Sequence, residues 1–456
     1  MSAISNTLLI FFVIILDMKK RTLIRELASF TNKTATVSGW LHKRRLLGSL
    51  NFLILRDRTG LVQILVEDKK ELEKLHGLQL GSILEISGNV KKDERATGGV
   101  ELHNPKINVE LAVTDVMPIE IDKPISHKPE HIETLFENRV VTLRNIQEQA
   151  IFKVQAEIEN IIRSFLLTNE FVPFHSPKLL AEATEGGAEV FKLDYFGKQA
   201  TLAQSAQFYK QIMVGVYERV FEIGGTYRAE PSTTTRHMSE YITVDVEMGF
   251  IDSLDDVKNL LNDLVWDINE KIWENKSKEL EGLRSEKAKI TKIIPEITLK
   301  QLHEEFFKAT GEDTRKEKDP TPAEERFASE YSIKEFASEA IYITEFPVSE
   351  MKFYHHINED NPDVCDRADL IFRGVEIVTI TQRENRYDVL VDQLKNLLNV
   401  DANEAGFKYY LDAFKFGMPK HGGFGLGLER LTAKVIGLNN VKEAALFPRD
   451  MQRLTP

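Results

Sequence analysis

Between Thr34 and Thr114 apolar and polar residues alternate in five short runs: TATVSGWL, LNFLILRD, GLVQILVE, SILEISGNV and KINVELAV. Turn residues separate them, and period-two alternation predicts strands with one buried face. A charged stretch, Lys69–Leu78, predicts a short helix between the third and fourth runs. Five strands with a helix after the third is the order of an OB-fold, a barrel that commonly binds nucleic acid. The pattern alone also fits other small five-stranded barrels.

The period then changes. Residues 115–145 hold three prolines and no clear periodicity, and read as a hinge. Ile151, Val154, Ile158, Ile161 and Phe165 recur at helical spacing, as do Val257, Leu261, Leu264, Ile268 and Ile272. Ser253 and Asp256 predict a capping box for the second of these helices. Strand-like runs lie between and beyond them, in GKQATLAQ, RVFEIGGTYRAE, YITVDVEMGFI, AIYITEFP, ADLIFRGVEIVTI and HGGFGLGLE. The polar segment 310–326 reads as a mobile surface loop. Strands alternating with helices admit a parallel sheet, yet no GxGxxG turn or GxxxxGK[ST] loop follows a strand. The expected class is therefore α+β: a barrel over 18–114, a hinge over 115–145, and an antiparallel sheet with flanking helices over 146–456.

Composition narrows the class. With 456 residues, 42% hydrophobic and 29% charged, the chain is neither disordered nor a polytopic membrane protein. A single cysteine, Cys365, excludes an internal disulfide framework and cysteine-rich zinc modules, and points to a reducing cytoplasm. The net charge is −12, but residues 18–60 carry ten Lys/Arg against two Asp/Glu, one basic face for a polyanion. The apolar run Thr7–Leu16 is too short to span a bilayer, which takes roughly 20 residues. It also lacks the flanks of a signal peptide, so residues 1–17 read as a start-site extension before Met18.

Three constellations carry candidate chemistry. Tyr227-Arg228-Ala229-Glu230, a threonine-rich loop and Arg236-His237-Met238-Ser239-Glu240-Tyr241 predict a hairpin with a cationic tip. Guanidinium groups grip phosphate oxygens bidentately, and an aromatic ring stacks on a base. Gly423–Arg430 places glycines where a strand approaches a ligand, with Gly427, Leu428, Glu429 and Arg430 opening a helix. Asp369 and Glu376, seven residues apart across strand segments, are a candidate Mg²⁺ pair beside phosphates. Alone, each of these fits a surface ion pair or strand-edge acids.

In this order the three resemble motifs 2 and 3, with the intervening acidic strand, of class II aminoacyl-tRNA synthetases. Motif 1 is matched by a helix ending near Leu167, then NEFVPFHSPKLL with Pro177. The predicted N-terminal barrel restricts the resemblance to the aspartyl, asparaginyl and lysyl subclass, over about Thr22 to Pro456. It implies an ATP- and Mg²⁺-dependent ligase and a homodimer built on motif 1. The implied ATP site comprises Arg228, Ala229, Glu230, Arg236, His237, Met238, Tyr241, Glu376, Gly427, Leu428, Glu429 and Arg430. In that site Arg228 holds the α-phosphate, Arg430 the terminal phosphate, and Arg236 and His237 the triphosphate tail. Glu230 meets the adenine amino group, while Asp369, Glu376 and Thr379 hold the metal.

The segment Gln204–Lys210 resembles the aspartyl signature QSPQLYKQ, whose lysine pairs with the substrate's side-chain carboxylate. Asparaginyl members lack that lysine. The implied aspartate pocket is Glu185, Gln207, Lys210, Arg228, Asp245, Thr379 and Arg383, with Glu185 on a closing loop and Asp245 near the substrate ammonium. Two buried cations would discriminate against an amide. Where the family has GVEISSGGQRE, this chain reads GVEIVTITQRE, so Ile380 and Thr381 replace glycines and are expected to narrow the pocket or reshape the strand. In the barrel, Phe52 and Gln63 match positions that stack on and read the middle anticodon base. His42, and Pro105 in the loop before the fifth strand, resemble relaxed members that aspartylate both tRNA(Asp) and tRNA(Asn). The implied activity is an aspartate–tRNA ligase. An asparagine–tRNA ligase, a non-enzymatic OB-fold RNA-binding protein and an asparagine synthetase are the competing readings.

Overall fold

The computed structural model describes residues 21–456 apart from 48–49, 97, 182–188 and 232–233. The start-site extension, Met18 and Glu185 therefore lie outside the described residues. Two compact units divide between Ile146 and Gln147.

In the first unit, β1 (Thr34–Leu47), β2 (Leu50–Arg56), β3 (Leu61–Val66), β4 (Ile83–Lys92) and β5 (Val100–Leu111) close into a barrel of order β1-β2-β3-β5-β4. Alternation does what the sequence requires: Leu53, Leu55, Val62, Ile64, Leu84 and Ile86 point inward and are buried. The long β1 pairs with β4 in its first half and with β2 in its second, with a register shift between Leu41 and Lys43. Gly39 lies in β1 just before that shift, where a Cβ would lie 2.4 Å from the Arg56 carbonyl oxygen, so only glycine fits. The helix α1 (Lys69–Glu73) is shorter than its charged stretch predicts. Gly77, at φ +76°, turns the chain so that Leu75 and Leu78 enter the barrel core. Pro105 is not in a loop: it is buried within β5, beside an irregularity in its pairing with β4. A bulged strand tolerates the missing N–H. The segment expected as a hinge holds two short helices, α2 (Pro129–Glu137) and α3 (Arg139–Thr142).

The second unit is built on an eight-stranded sheet. Its strands are β6 (Val172–Pro173), β10 (Arg219–Tyr227), β11 (Glu240–Gly249), β12 (Glu296–Thr298), β13 (Ala340–Pro347), β14 (Val364–Phe372), β15 (Val375–Arg383) and β16 (His421–Gly427), in the order β12-β13-β14-β15-β16-β11-β10-β6. The six inner strands are antiparallel, as expected, whereas the edges β6 and β12 pair in parallel. At two and three residues these edge strands are too short to leave a periodic signal. A small sheet of β7 (Leu179–Leu180), β9 (Lys198–Leu202) and β8 (Lys192–Tyr195) stands apart from it.

One face of the large sheet packs on α4 (Ile146–Thr168) and α6 (Leu254–Gly282), whose apolar stripes are the two read from the sequence. Ser253 caps α6 with the expected box to Asp256. Val244, Val246, Val378, Ile380, Phe424 and Leu426 meet these helices. Successive strand residues face opposite ways, so Asp245, Glu247, Thr379, Thr381, Arg383 and, on β16, Gly423, Gly425 and Gly427 are turned to the other face. There α5 (Gln207–Tyr217), α9 (Tyr387–Leu398) and α10 (Ala405–Lys415) form a separate aromatic core.

The segment 310–326 is not simply a loop. It joins α7 (Leu299–Thr310) to α8 (Pro322–Phe336), whose first turn is capped by Thr321 and Glu324. His303 Nδ1 lies 2.6 Å from Glu324 Oε1, and Thr314 donates to the same oxygen at 2.5 Å. Thr-Pro-Ala-Glu is itself a helix-start pattern, and it outweighs the polar composition. Among the described residues no helix is long and apolar enough to cross a membrane.

Candidate active site

A cavity of about 460 Å³ opens on the sheet face away from α4 and α6. At one end Lys210, on the buried side of α5, reaches Asp245 Oδ1 at 2.9 Å, the Phe424 carbonyl at 3.0 Å and Glu247 Oε2 at 3.6 Å. Arg383 clasps Glu247 through Nε at 2.8 Å and Nη2 at 3.2 Å, with its guanidinium 5.5 Å from the Tyr354 ring. All four charged groups are nearly inaccessible to solvent. Burial pushes the Asp245 and Glu247 carboxyls up, but their cations prevail and hold both below the ordinary range: Lys210 for Asp245, Arg383 and Lys210 for Glu247. Asp245, expected beside the substrate ammonium, is thus also the partner of Lys210. Gln207 lines the same end, its amide fixed by Gln211 at 2.9 Å.

The floor is β16. A Cβ on Gly423 would meet the Val246 carbonyl at 2.1 Å and Glu247 Oε2 at 2.3 Å, so the strand can pass beneath these charges only as glycine. Of the two residues that replace the family's glycines, Thr381 enters the cavity wall and Ile380 does not. Ile380 is fully buried in the opposite core, so only one of the two replacements narrows the pocket.

Towards the other end lie Arg228, Glu230, Arg236, His237, Met238, Tyr241, Glu376, Gly427, Glu429 and Arg430, all in the cavity wall. Arg228 Nη1 is 4.0 Å from Glu230 and His237 Nδ1 is 3.6 Å from it, so this acid sits between a guanidinium and an imidazole. Burial lowers the His237 pKa, with Arg430 and Arg236 reinforcing and Glu230 opposing. Arg430 donates to the Glu376 carbonyl at 2.8 Å. Glu429 accepts the Ile242 N–H at 3.1 and 3.0 Å, and burial raises its carboxyl to about 7. Arg236 is held by Glu325 of α8 and by the Gly374 carbonyl at 3.4 Å. Two expected ATP residues have their side chains elsewhere: Leu428 is in the hydrophobic core, and Ala229 lies outside the wall, its N–H on the Glu189 carbonyl at 2.7 Å.

Asp369 and Thr379 face each other across β14 and β15, and Thr379 donates to Glu376 at 3.1 Å. Asp369 is buried and bound by Arg367 at 2.6 and 3.2 Å, and it does not itself line the cavity, as its neighbours Arg367 and Thr379 do. Burial, with the Glu376 carboxylate adding and Arg367 opposing, lifts its carboxyl to about 6. Two acids that resist joint ionisation, with a hydroxyl beside them, form a donor set that suits Mg²⁺ completed by phosphate and water. Among the described residues no cluster of three or more His, Cys, Asp or Glu is assembled for a metal.

On the barrel, Phe52 is half-buried in β2 and Gln63 lies on β3 opposite Ile54. The Gln63 amide donates to Glu101 at 2.6 Å, and Glu101 also meets His103 at 2.7 Å. His42 is 6% exposed, its pKa lowered to about 4 by burial and by Arg56. Neither His42 nor the buried Pro105 presents itself at the surface.

Sequence reasoning assigned no role to several wall residues. Gln204 and Ser205 open the signature that holds Lys210, Thr243 adjoins residues it named, and Lys352, Tyr354 and His355 come from an irregular segment after β13 that no motif marks. Asp319 arrives on the 311–321 loop and pairs with Arg367 at 3.2 Å. Only the charged and aromatic content of MKFYHH signalled the second group.

Residues 131–451 match the family model of class II tRNA synthetases (D, K and N), and residues 35–110 match that of OB-fold nucleic acid binding domains. An aspartate–tRNA(Asp/Asn) ligase of Deinococcus radiodurans is 40% identical over 445 residues, spanning 96% of this chain and 99% of that one. An aspartate–tRNA(Asp) ligase of Pyrococcus abyssi is 36% identical over 93% and 96%. The asparaginyl-tRNA synthetase of Pyrococcus horikoshii complexed with asparaginyl-adenylate superposes with a TM-score of 0.87 at 31% identity, over 96% of this chain and all of that one. With a cavity walled by paired acids and cations on a mainly antiparallel sheet, and a barrel before it in the sequence, the chain belongs to the class II tRNA synthetases of the D, K and N group.

Proposed function

We propose that this chain is an aspartate–tRNA ligase. Aspartate's α-carboxylate attacks the ATP α-phosphate and releases pyrophosphate, and the terminal ribose hydroxyl of tRNA then takes the aspartyl group from the adenylate. The observation that carries this reading is the buried Lys210 beside Arg383 at one end of the cavity. Structural likeness alone does not choose, since solved neighbours include both aspartyl and asparaginyl enzymes. A buried ammonium and guanidinium favour a carboxylate over an amide, which leaves them under-compensated.

Catalysis in this reading is positioning and charge neutralisation, with no protein nucleophile. Arg228 holds the α-phosphate, Arg430 the terminal phosphate, and His237 the tail. Arg236 joins them by exchanging Glu325 for phosphate. Glu230 receives the adenine amino group and Tyr241 stacks on the base. Asp369, Glu376 and Thr379 would hold Mg²⁺, which when bound supplies positive charge to the phosphate oxygens. Leu167 and Leu179, half exposed on either side of the Pro177 segment, support a two-fold interface there. The single, buried cysteine fits a reducing cytoplasm.

The tRNA choice is the finer part. Phe52 and Gln63, with Glu101 orienting the amide, serve the middle anticodon base. Aspartate and asparagine anticodons differ only at the third base, the partner of the first codon base, where a strict enzyme needs a committed contact. His42 is buried and neutral, and Pro105 has no side-chain donor, so we assign relaxed specificity; the relatives of Deinococcus radiodurans and Thermus thermophilus are named for both tRNAs. Aspartylation of purified tRNA(Asp) and tRNA(Asn) is expected to give kcat/KM values within about tenfold of each other, because a reading contact is worth about 1–3 kcal/mol. A preference above about a hundredfold means a strict enzyme.

A further inference from the structure

The two acids assigned to the metal are held unequally. Glu376 lines the cavity, accepts from Thr379 at 3.1 Å and keeps Arg430 at 3.8 Å. Asp369 has both oxygens engaged by one guanidinium: Arg367 Nε donates to Oδ1 at 3.2 Å and Nη2 to Oδ2 at 2.6 Å. The two residues stand two apart on β14, so both turn to the same face of the strand and meet as a fork.

That fork is fixed on its remaining sides. Arg367 Nη1 lies 3.2 Å from Asp319 on the 311–321 loop, and the guanidinium carbon stands 3.9 Å from the centre of the Phe346 ring. The side chain is 15% exposed, and what it exposes faces the cavity. A divalent ion on Asp369 would sit beside this cation, and Arg430 and Arg228 act on Glu376 from the same cavity. Like charges so close in a partly dehydrated site repel far more strongly than in water. Mg²⁺ gives up its water reluctantly and takes few carboxylates, so phosphate is what draws it to such a place. A triphosphate offsets the surrounding cations and supplies the missing oxygens together.

We propose that Arg367 sets the order of metal uptake: its fork on Asp369 keeps a free divalent cation out, so that the metal binds with the nucleotide and not ahead of it. The inference rests on Asp369 belonging to the metal's donor set, as in the function proposed above. Arg367 is a positioning residue, acting through Asp369.

The test is a Mn²⁺ titration of the full chain followed by water proton relaxation, with and without a non-hydrolysable ATP analogue. Arg367→Gln and Arg367→Met remove the charge, glutamine keeping an N–H for Asp369, whereas Arg367→Lys keeps the charge and loses the fork. Without nucleotide, the two neutral variants are expected to bind Mn²⁺ about tenfold or more tighter than wild type, since a like charge beside the ion is gone. Lysine should stay within about threefold of wild type, and with the analogue bound all four should agree to a similar factor. Adding Asp369→Asn to Arg367→Gln should abolish the gain. Neutral variants that bind no tighter than wild type overturn the proposal. So does a lysine variant that matches them, or a wild type that binds the metal as well without the analogue as with it. A gain that survives Asp369→Asn places the metal elsewhere, and overturns the donor set on which the proposal rests.

Discussion

Lys210→Met is expected to lower kcat/KM for aspartate in pyrophosphate exchange by about a hundredfold to a few thousandfold. Truncating one partner of a buried, hydrogen-bonded charge set costs about 3–5 kcal/mol, and each 1.4 kcal/mol is a factor of ten. The loss has two sources: the substrate carboxylate loses its ammonium, and Asp245 and Glu247 then face it with only Arg383 to offset them. The same change bears on stability, with a sign that can be checked. Asp245 and Glu247 have their pKa values depressed in the fold, so their pairing stabilises the protein above the unfolded carboxyl values, about 4, and that contribution fades as pH falls through the folded ones. The variant's deficit in thermal midpoint should therefore be full near pH 7 and shrink below pH about 4. Exchange within about threefold of wild type would remove Lys210 from the pocket.

Arg228 is expected to show the second large effect. Its guanidinium lies at the end of β10, in the cavity wall beside Glu230, where the α-phosphate is assigned. Charge on that phosphate grows as the aspartate carboxylate attacks, so the contact is worth more in the transition state than in the ground state. Arg228→Ala should lower kcat by about a hundredfold to a thousandfold, the cost of removing one preorganised donor. Arg228→Lys should recover little of it, because an ammonium cannot form the bidentate fork. Full recovery by lysine would mean that Arg228 acts as a point charge away from the reacting phosphate.

The barrel was legible because each strand buries one side, so Val62, Ile64 and Val66 alternate with outward residues. The helices α4 and α6 were legible because each buries one stripe against the sheet. What escaped was set by contacts distant in sequence. Pro105 reads as a loop residue until the irregular β4–β5 pairing is known. Ile380 reads as a pocket residue beside Thr379 and Thr381, yet alternation along β15 sends it to the far core with Val378. Polar composition hid α8, whose Glu325 holds Arg236 from 89 residues away. Within the site, residues carried by ordered motifs are brought together: Lys210, Arg228, Glu230, Glu376, Arg383 and Arg430 share one cavity. His355 and Asp319 arrive on segments without period or motif, and only tertiary structure places them there.

The central claim is that the Lys210–Arg383 end of the cavity selects a carboxylate. Amino-acid-dependent ATP–pyrophosphate exchange by the wild-type protein, without tRNA and with aspartate against asparagine, tests it most directly. The account predicts a kcat/KM for aspartate at least about a thousandfold above that for asparagine, since the amide leaves buried cations under-compensated. Equal exchange with the two amino acids, or a preference for asparagine, would contradict it.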